Sequence, residues 1–201
     1  YTNTRIGAKP NFSIECSENK KYFAVFWQTQ GRSKLQDGYG YVILDANLEV
    51  LQNGSYFLPF DGNMSTINQH HITDNGDYFI SVTEHNTPND KLFSRSFQNF
   101  KAIHVYKIKN NELNEFSLDL NRKRVDDMEM SSKNNVFTLS GIYGSGRDGK
   151  IDGVFILRYD TQTDSVLFKG LVPFDPNLID QNWAPSNARK SRYTNRNNGQ
   201  I

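Results

Sequence analysis

Ile14-Glu15-Cys16-Ser17 is followed 114 residues later by Met128-Glu129-Met130-Ser131, and Tyr22-Phe23 and Pro59-Phe60 keep that distance to Val136-Phe137 and Pro173-Phe174. A third copy stands between them, with His70-His71-Ile72-Thr73 and Tyr78-Phe79 placed 56 residues after the first and 58 before the last. A period near 57 residues in a strand-rich chain points to radially repeated β-sheets, in which each unit buries its apolar face only against the next. The repeat predicts an all-β chain of about three four-stranded antiparallel units of β-propeller type, a partial ring or a fragment of a larger propeller.

Each unit reads as four strands. In the first, Phe12, Ile14 and Cys16 alternate with Ser13, Glu15 and Ser17, the period-2 pattern of a strand with two unlike faces. Strands over 22–28, 39–44 and on to Leu58 follow. The second unit repeats this over 70–73, 78–83, 102–108 and 113–120, and the third over 126–131, 136–142, 154–159 and 165–172. Asn clusters such as Asp74-Asn75-Gly76-Asp77 and Asn110-Asn111 read as hairpin turns, because Asn tolerates left-handed backbone angles. The organisation expected is 1–11 as the end of a preceding strand or linker, repeat units over 12–62, 63–121 and 122–174, and a polar basic tail over 175–201. No helix is needed before residue 174.

Three sheets do not close a ring, and an open one leaves apolar faces and strand edges bare. The remainder is therefore expected in flanking chain, in another subunit or in a protein partner. The tail carries Arg189, Lys190, Arg192 and Arg196 against Asp175 and Asp180, with Trp183 as its natural anchor on a partner or on the missing blades. The chain does not begin with Met and shows no signal peptide, which predicts a processed product or a piece of something longer.

With 23 basic and 22 acidic side chains the net charge is +1, so no global field draws in nucleic acid or an anionic membrane. No apolar run is long enough to span a bilayer. Hydrophobic content of 36% with 13% aromatics suits thin twisted sheets packed through Phe and Tyr. The one cysteine, Cys16, has no internal disulfide partner. The repeat puts it at the position of Ile72 and Met130, so a small buried apolar residue is preferred over a reactive thiol.

His70 and His71 are the first residues to suggest chemistry. Adjacent strand residues point to opposite faces, so the pair does not chelate one metal in ordinary geometry. In the repeat His71 shares its position with Glu15 and Glu129, on three strands expected to neighbour one another around a channel. Solvated channel lining is the preferred reading; the alternative is a glycan-active propeller in which Glu15, Glu129 and Asp126 serve as acid and base. Arg147-Asp148-Gly149-Lys150-Ile151-Asp152-Gly153 has the outline of a calcium loop, but Lys150 takes a ligand position and Tyr159 the place of the closing Glu. A Gly-rich hairpin loop fits better. Sequons stand at Asn11, Asn53 and Asn63, relevant only in a glycosylating secretory pathway. No phosphate, zinc or dinucleotide motif is present, and neither metal nor cofactor is expected.

Loop length is the stronger signal. The b-to-c connections, over 29–38, 84–101 and 143–153, are long in all three units, while the a-to-b and c-to-d turns are short. Elaborated loops on one face of a rigid scaffold are where binding concentrates. The middle loop holds Phe93, Phe97 and Phe100 beside Lys91 and Arg95, the aromatic-plus-Arg composition of interface anchors. The same phenylalanines also suit packing of the loop on its own blade. Tyr39 and Tyr143, at loop ends, and Trp183 complete the set of partner-binding candidates.

Gly153-Val154-Phe155-Ile156-Leu157-Arg158-Tyr159-Asp160, the Val172-Pro173-Phe174 ending and the polar segment with Leu178-Ile179 and basic residues after it resemble exported envelope proteins of the Bacteroidota with propeller-like repeats. The resemblance covers roughly residues 12–190 and implies a periplasmic or outer-membrane location, within an envelope complex. It carries over no active-site residue, and His70-His71 and the phenylalanine-rich middle loop depart from its pattern. The function expected is a non-catalytic protein-binding or scaffolding module of an envelope assembly.

Overall fold

The computed structural model describes residues 12–29, 36–61, 64–86, 100–118, 120, 123–144 and 151–175, the side chains of 100, 117 and 126 excepted. Among these residues twelve strands form three four-stranded antiparallel sheets, each a simple meander. Sheet 1 runs β1 (Phe12–Cys16), β2 (Tyr22–Thr29), β3 (Gly38–Asp45) and β4 (Val50–Phe57). Sheet 2 runs β5 (Ser65–Ile72), β6 (Tyr78–His85), β7 (Phe100–Lys109) and β8 (Glu112–Leu118). Sheet 3 runs β9 (Arg124–Lys133), β10 (Val136–Gly144), β11 (Gly153–Asp160) and β12 (Ser165–Pro173). The first strand of sheet 2, β5, lies against both β1 and β9, so the three first strands converge as blades do on a propeller axis. The chain is an all-β partial ring of propeller type.

Two cores separate the sheets. Between sheets 1 and 2, Ala24, Tyr41 and Ile43 meet Ile72, Tyr78, Ile80 and Tyr106. Between sheets 2 and 3, Phe79, Ile103 and Val105 meet Phe137, Leu139, Phe155 and Leu157. Phe79 and Phe137 stack with centroids 4.1 Å apart and planes 8° off parallel, a geometry worth about 0.5–1.5 kcal/mol beyond the area it buries. The middle sheet is covered on both sides, so Tyr78 to Thr83 are buried without alternation.

The short-turn rim is held by polar contacts between sheets. Asn19 binds Asp74, its backbone N–H donating to Oδ1 at 2.8 Å and its side-chain amide to the Asp74 carbonyl at 3.2 Å. The Asn75 amide donates to the Thr161 hydroxyl at 2.9 Å. Lys107, only 5% exposed in its side chain, reaches Asp77 at 3.1 Å and Asp164 of sheet 3 at 2.9 Å, and the Tyr159 hydroxyl donates to the same Asp164 carboxylate. The turns themselves follow the Asn pattern: Asn110-Asn111 and Asn134-Asn135 all have positive φ, 51° to 68°, as two-residue hairpins require. Asn111 packs where a side chain on Gly54 would stand, seating the sheet 2 turn on β4.

Two expectations need correction. β5 begins at Ser65, five residues before the expected start at His70, and a bulge between Ile67 and Gln69 interrupts its pairing with β6. Cys16 is exposed rather than buried. It stands opposite Phe23 on the side of sheet 1 turned away from sheet 2, and none of the described residues covers that side. Met130, its repeat counterpart, is buried because β9 has sheet 2 beside it.

Candidate functional site

On the rim where the long connections leave, sheets 1 and 2 diverge around a cleft of about 340 Å3. Gln28, Asp37 and Tyr39 from the loop ends of β2 and β3 line one side, and Ser65, Ile67 and His70 from β5 line the other, with Phe26 and Trp27 as further wall. On that rim β2 and β3 stay paired up to Thr29 and Gly38, and β5 is bulged near its start.

The groups in the cleft are held in place. His70 stacks on Phe26 with centroids 3.4 Å apart and planes 17° off parallel, and its Nδ1 lies 2.6 Å from the Tyr78 hydroxyl. Burial lowers its pKa to about 4, so it is a neutral imidazole at neutral pH. Tyr39 stacks on Tyr56 at 5.5 Å; burial, with the Asp37 charge adding to it, pushes its hydroxyl up to about 12. The cleft thus presents a carboxylate, an amide, hydroxyls and a neutral imidazole beside aromatic walls.

Glu15 and Glu129, carboxylates of the glycan-active alternative, are not brought together. Glu15 pairs with Ala24 and faces sheet 2, where burial raises its pKa. His71 pairs with Phe79 and faces sheet 3, its Nε2 2.8 Å from the Ser132 hydroxyl. Glu129 pairs with Ser140 on the side of sheet 3 turned away from sheet 2. Each thus belongs to a different gap, in place of the expected channel triple; Asp126 lies within β9. Among the described residues no three His, Cys, Asp or Glu side chains are grouped to hold a metal.

Of the partner-binding candidates, Tyr39 lines the cleft. Tyr143 is 3% exposed, packed in the core between sheets 2 and 3, with the Lys123 ammonium 5.0 Å from the centre of its ring. Phe100 opens β7. Phe93, Arg95, Phe97 and Trp183 lie outside the described residues, as do 147–150 of the calcium-like loop and the sequons at Asn11 and Asn63; Asn53 is exposed on β4.

Sequence reading missed a charged cluster on sheet 2. His104 lies between Glu115, 2.6 Å from Nδ1, and Glu84, 3.3 Å from Nε2, and Lys101 pairs with Glu84 at 2.6 Å. Only strand register joins these residues, since Glu84, His104 and Glu115 come from three different strands. Phe60 covers the imidazole at 4.9 Å.

The outer face of sheet 1 is apolar, and that of sheet 3 sets apolar side chains among Glu129, Thr138, Ser140 and Arg158. On sheet 1, Phe12 (56% exposed) and Ile14 (67%) stand opposite Trp27 and Val25, and Phe57 (61%) opposite Gly38. On sheet 3, Phe168 and Val172 are exposed opposite Arg158 and Val154. Among the described residues every large exposed hydrophobic side chain belongs to sheet 1 or sheet 3 or a turn within them, and none to sheet 2. Nor is there among them a helix long and apolar enough to cross a membrane.

No protein family and no curated protein matches the chain. Solved structures do. The cobalt-substituted Synechocystis apocarotenoid oxygenase aligns with a TM-score of 0.43 at 13% identity, over 82% of this chain and 38% of that one. An ACO/RPE65 chimera aligns at 0.46 and 14%, over 83% and 40%. The subtype N10 neuraminidase-like protein of A/little yellow-shouldered bat/Guatemala/060/2010 aligns at 0.47 and 14%, over 80% and 43%. The chain spans about two fifths of the length of these proteins. At such identity and score none of them lends it an activity or a ligand.

Proposed function

We propose that this chain is a non-catalytic binding or scaffolding portion of a β-propeller, its ring completed by further β-sheets packed on the outer faces of sheets 1 and 3, with the long-loop rim as its working surface. The observation that supports this is the confinement of exposed large apolar side chains to the two end sheets. Contiguous apolar faces of this kind mark interaction surfaces in folded proteins. The sheets that cover them belong to flanking chain, to another subunit or to a protein partner. The sequence resemblance supplies the setting, a bacterial envelope assembly.

The test is a double substitution on the outer face of sheet 1, Phe12→Ser with Ile14→Ser. Both side chains are exposed, so the two cores and the far-ultraviolet spectrum stay as they are. Recovery of the natural complex, or of the closed ring in a longer chain, falls. Unchanged recovery with this face so altered, and again with Phe168→Ser and Val172→Ser on sheet 3, overturns the reading.

A further inference from the structure

We propose that a second copy of this chain completes the ring, its sheet 1 packed head to tail on sheet 3 of the first, so that two copies close a circle of six sheets. The inference rests on the functional reading in one respect, that the outer faces of the end sheets are covered, and it names what covers them.

The junction between sheets 1 and 2 shows how one sheet receives the next. Tyr41 on β3 stands opposite Gly54 on β4, and the missing side chain of Gly54 leaves the space that Asn111 fills. Asn111 is the last residue of the β7–β8 turn, with a φ of 68°. Its amide oxygen accepts from the Tyr41 hydroxyl at 3.3 Å, and Gln52 donates to that hydroxyl at 2.8 Å. Asp164, the last residue of the β11–β12 turn with a φ of 56°, likewise reaches back to Lys107 of sheet 2. In both cases the residue that ends the turn docks on the preceding sheet.

Sheet 3 carries the receiving half of this arrangement. β11 and β12 are bulged between Arg158 and Tyr159, as β3 and β4 are between Ile43 and Leu44. Counted back from the bulge, Ile156 opposite Gly170 matches Tyr41 opposite Gly54, and Phe168 takes the place of Gln52. Gly170 lies on the outer face beside the exposed Phe168, and among the described residues only that ring comes within 4 Å of where a Cβ would stand.

Sheet 1 carries the entering half. Leu48, with a φ of 64°, ends the β3–β4 turn just before Glu49, whose carbonyl accepts from the Asp45 N–H at 3.0 Å. It is 68% exposed. The halves match in kind: Tyr41 and Gln52 make a polar seat for Asn111, whereas Ile156 and Phe168 make an apolar one, which suits Leu48. A second copy brings both halves at once, each Leu48 entering the seat at the other's Gly170. It also brings the right number of sheets. Two copies of three sheets give six, within the range of about four to eight blades usual for propellers, and three copies give nine. Head-to-tail contacts of this kind form rings when the rotation closes.

The experiment follows the mass of the full chain by sedimentation equilibrium as its concentration rises. The mass is expected to reach twice the 23.1 kDa of one copy. Leu48→Lys and Phe168→Glu alter exposed side chains, so each is expected to keep the far-ultraviolet spectrum and to weaken pairing at least tenfold. Mixed in equal amounts, the two variants are expected to regain it, because one junction of the mixed pair sets the new cation against the new carboxylate and the other keeps Leu48 on Phe168. The inference is overturned by a one-copy mass up to about 100 μM, by pairing that neither substitution weakens, by assemblies of three or more copies, or by a mixture that pairs no better than its components. A one-copy mass leaves ring completion standing when the natively purified protein is larger, as a longer chain or bound to another protein. A native particle of one copy overturns both.

Discussion

The side-chain amide of Gln69 clasps the main chain around Met130: its Oε1 accepts from the Met130 N–H at 3.0 Å and its Nε2 donates to the Met128 carbonyl at 3.0 Å. One side chain thereby does for β5 and β9 what a ladder does within a sheet, joining the axis strands of two blades. Gln69→Ala removes both bonds and leaves a half-buried carbonyl and N–H without them. The expected loss is about 1–3 kcal/mol, read as a lower urea midpoint with unchanged slope. An unaltered midpoint would show that the clasp adds nothing to sheet docking.

Lys107 gives the second prediction. Burial alone would lower its pKa, but the hydrogen bonds and charges of Asp164 and Asp77 outweigh that and raise it above 10.5, while Asp164 is held below 3.8 by Tyr159 and Lys107. The Lys107 contribution to stability is complete below 10.5 and lost as pH rises through its raised folded value. That of Asp164 is present above 3.8 and lost as pH falls through its depressed value. Stability therefore carries the full network between those limits, and Lys107→Met lowers it throughout that plateau. Thermal melts of both proteins from acid to strongly alkaline pH check this; curves that coincide on the plateau would refute it.

His70 sets the acid side. Its folded pKa of about 4 lies below the 6.5 of an unfolded chain, so its neutral form contributes stability above 6.5 that is lost as pH falls toward 4. The shift corresponds to a loss of about 3 kcal/mol across that window. His71, also lowered by burial, acts in the same direction. His70→Gln is expected to flatten the fall between 6.5 and 4. If the slope persists in that variant, the imidazole is not its source.

Much of the fold was legible because the repeat and the strand alternation reflect backbone pairing, which the end sheets share with the middle one. β2, β3, β6, β10 and β11 begin within one or two residues of their expected starts. The error at β5 came from the bulge at Asn68, which places two residues of a polar run against one partner and erases the alternation. The exposure of Cys16 and the burial of Tyr143 have another cause. Repeat equivalence transfers backbone position but not surroundings: Cys16 has no sheet on its side, whereas Tyr143, at the end of β10, turns into a core. The cleft was harder still, since Gln28, Asp37, Tyr39 and His70 form a site only through the divergence of two sheets, which no spacing in the chain records.

Cys16 offers a direct report on the bare face of sheet 1. Exposed in the chain alone, it is expected to react with a maleimide as readily as in urea. In the completed assembly a covering sheet protects it, and labelling slows at least tenfold. Equal reactivity in both forms would mean that nothing packs there.

The central claim, that the outer faces of sheets 1 and 3 are covered in the working protein, is tested most directly by the native mass. The natively purified protein, measured by light scattering, is expected to exceed the 23.1 kDa of these residues, as a longer chain or as a stable complex. A monodisperse particle of 23.1 kDa that stays soluble and binds no hydrophobic dye would contradict it.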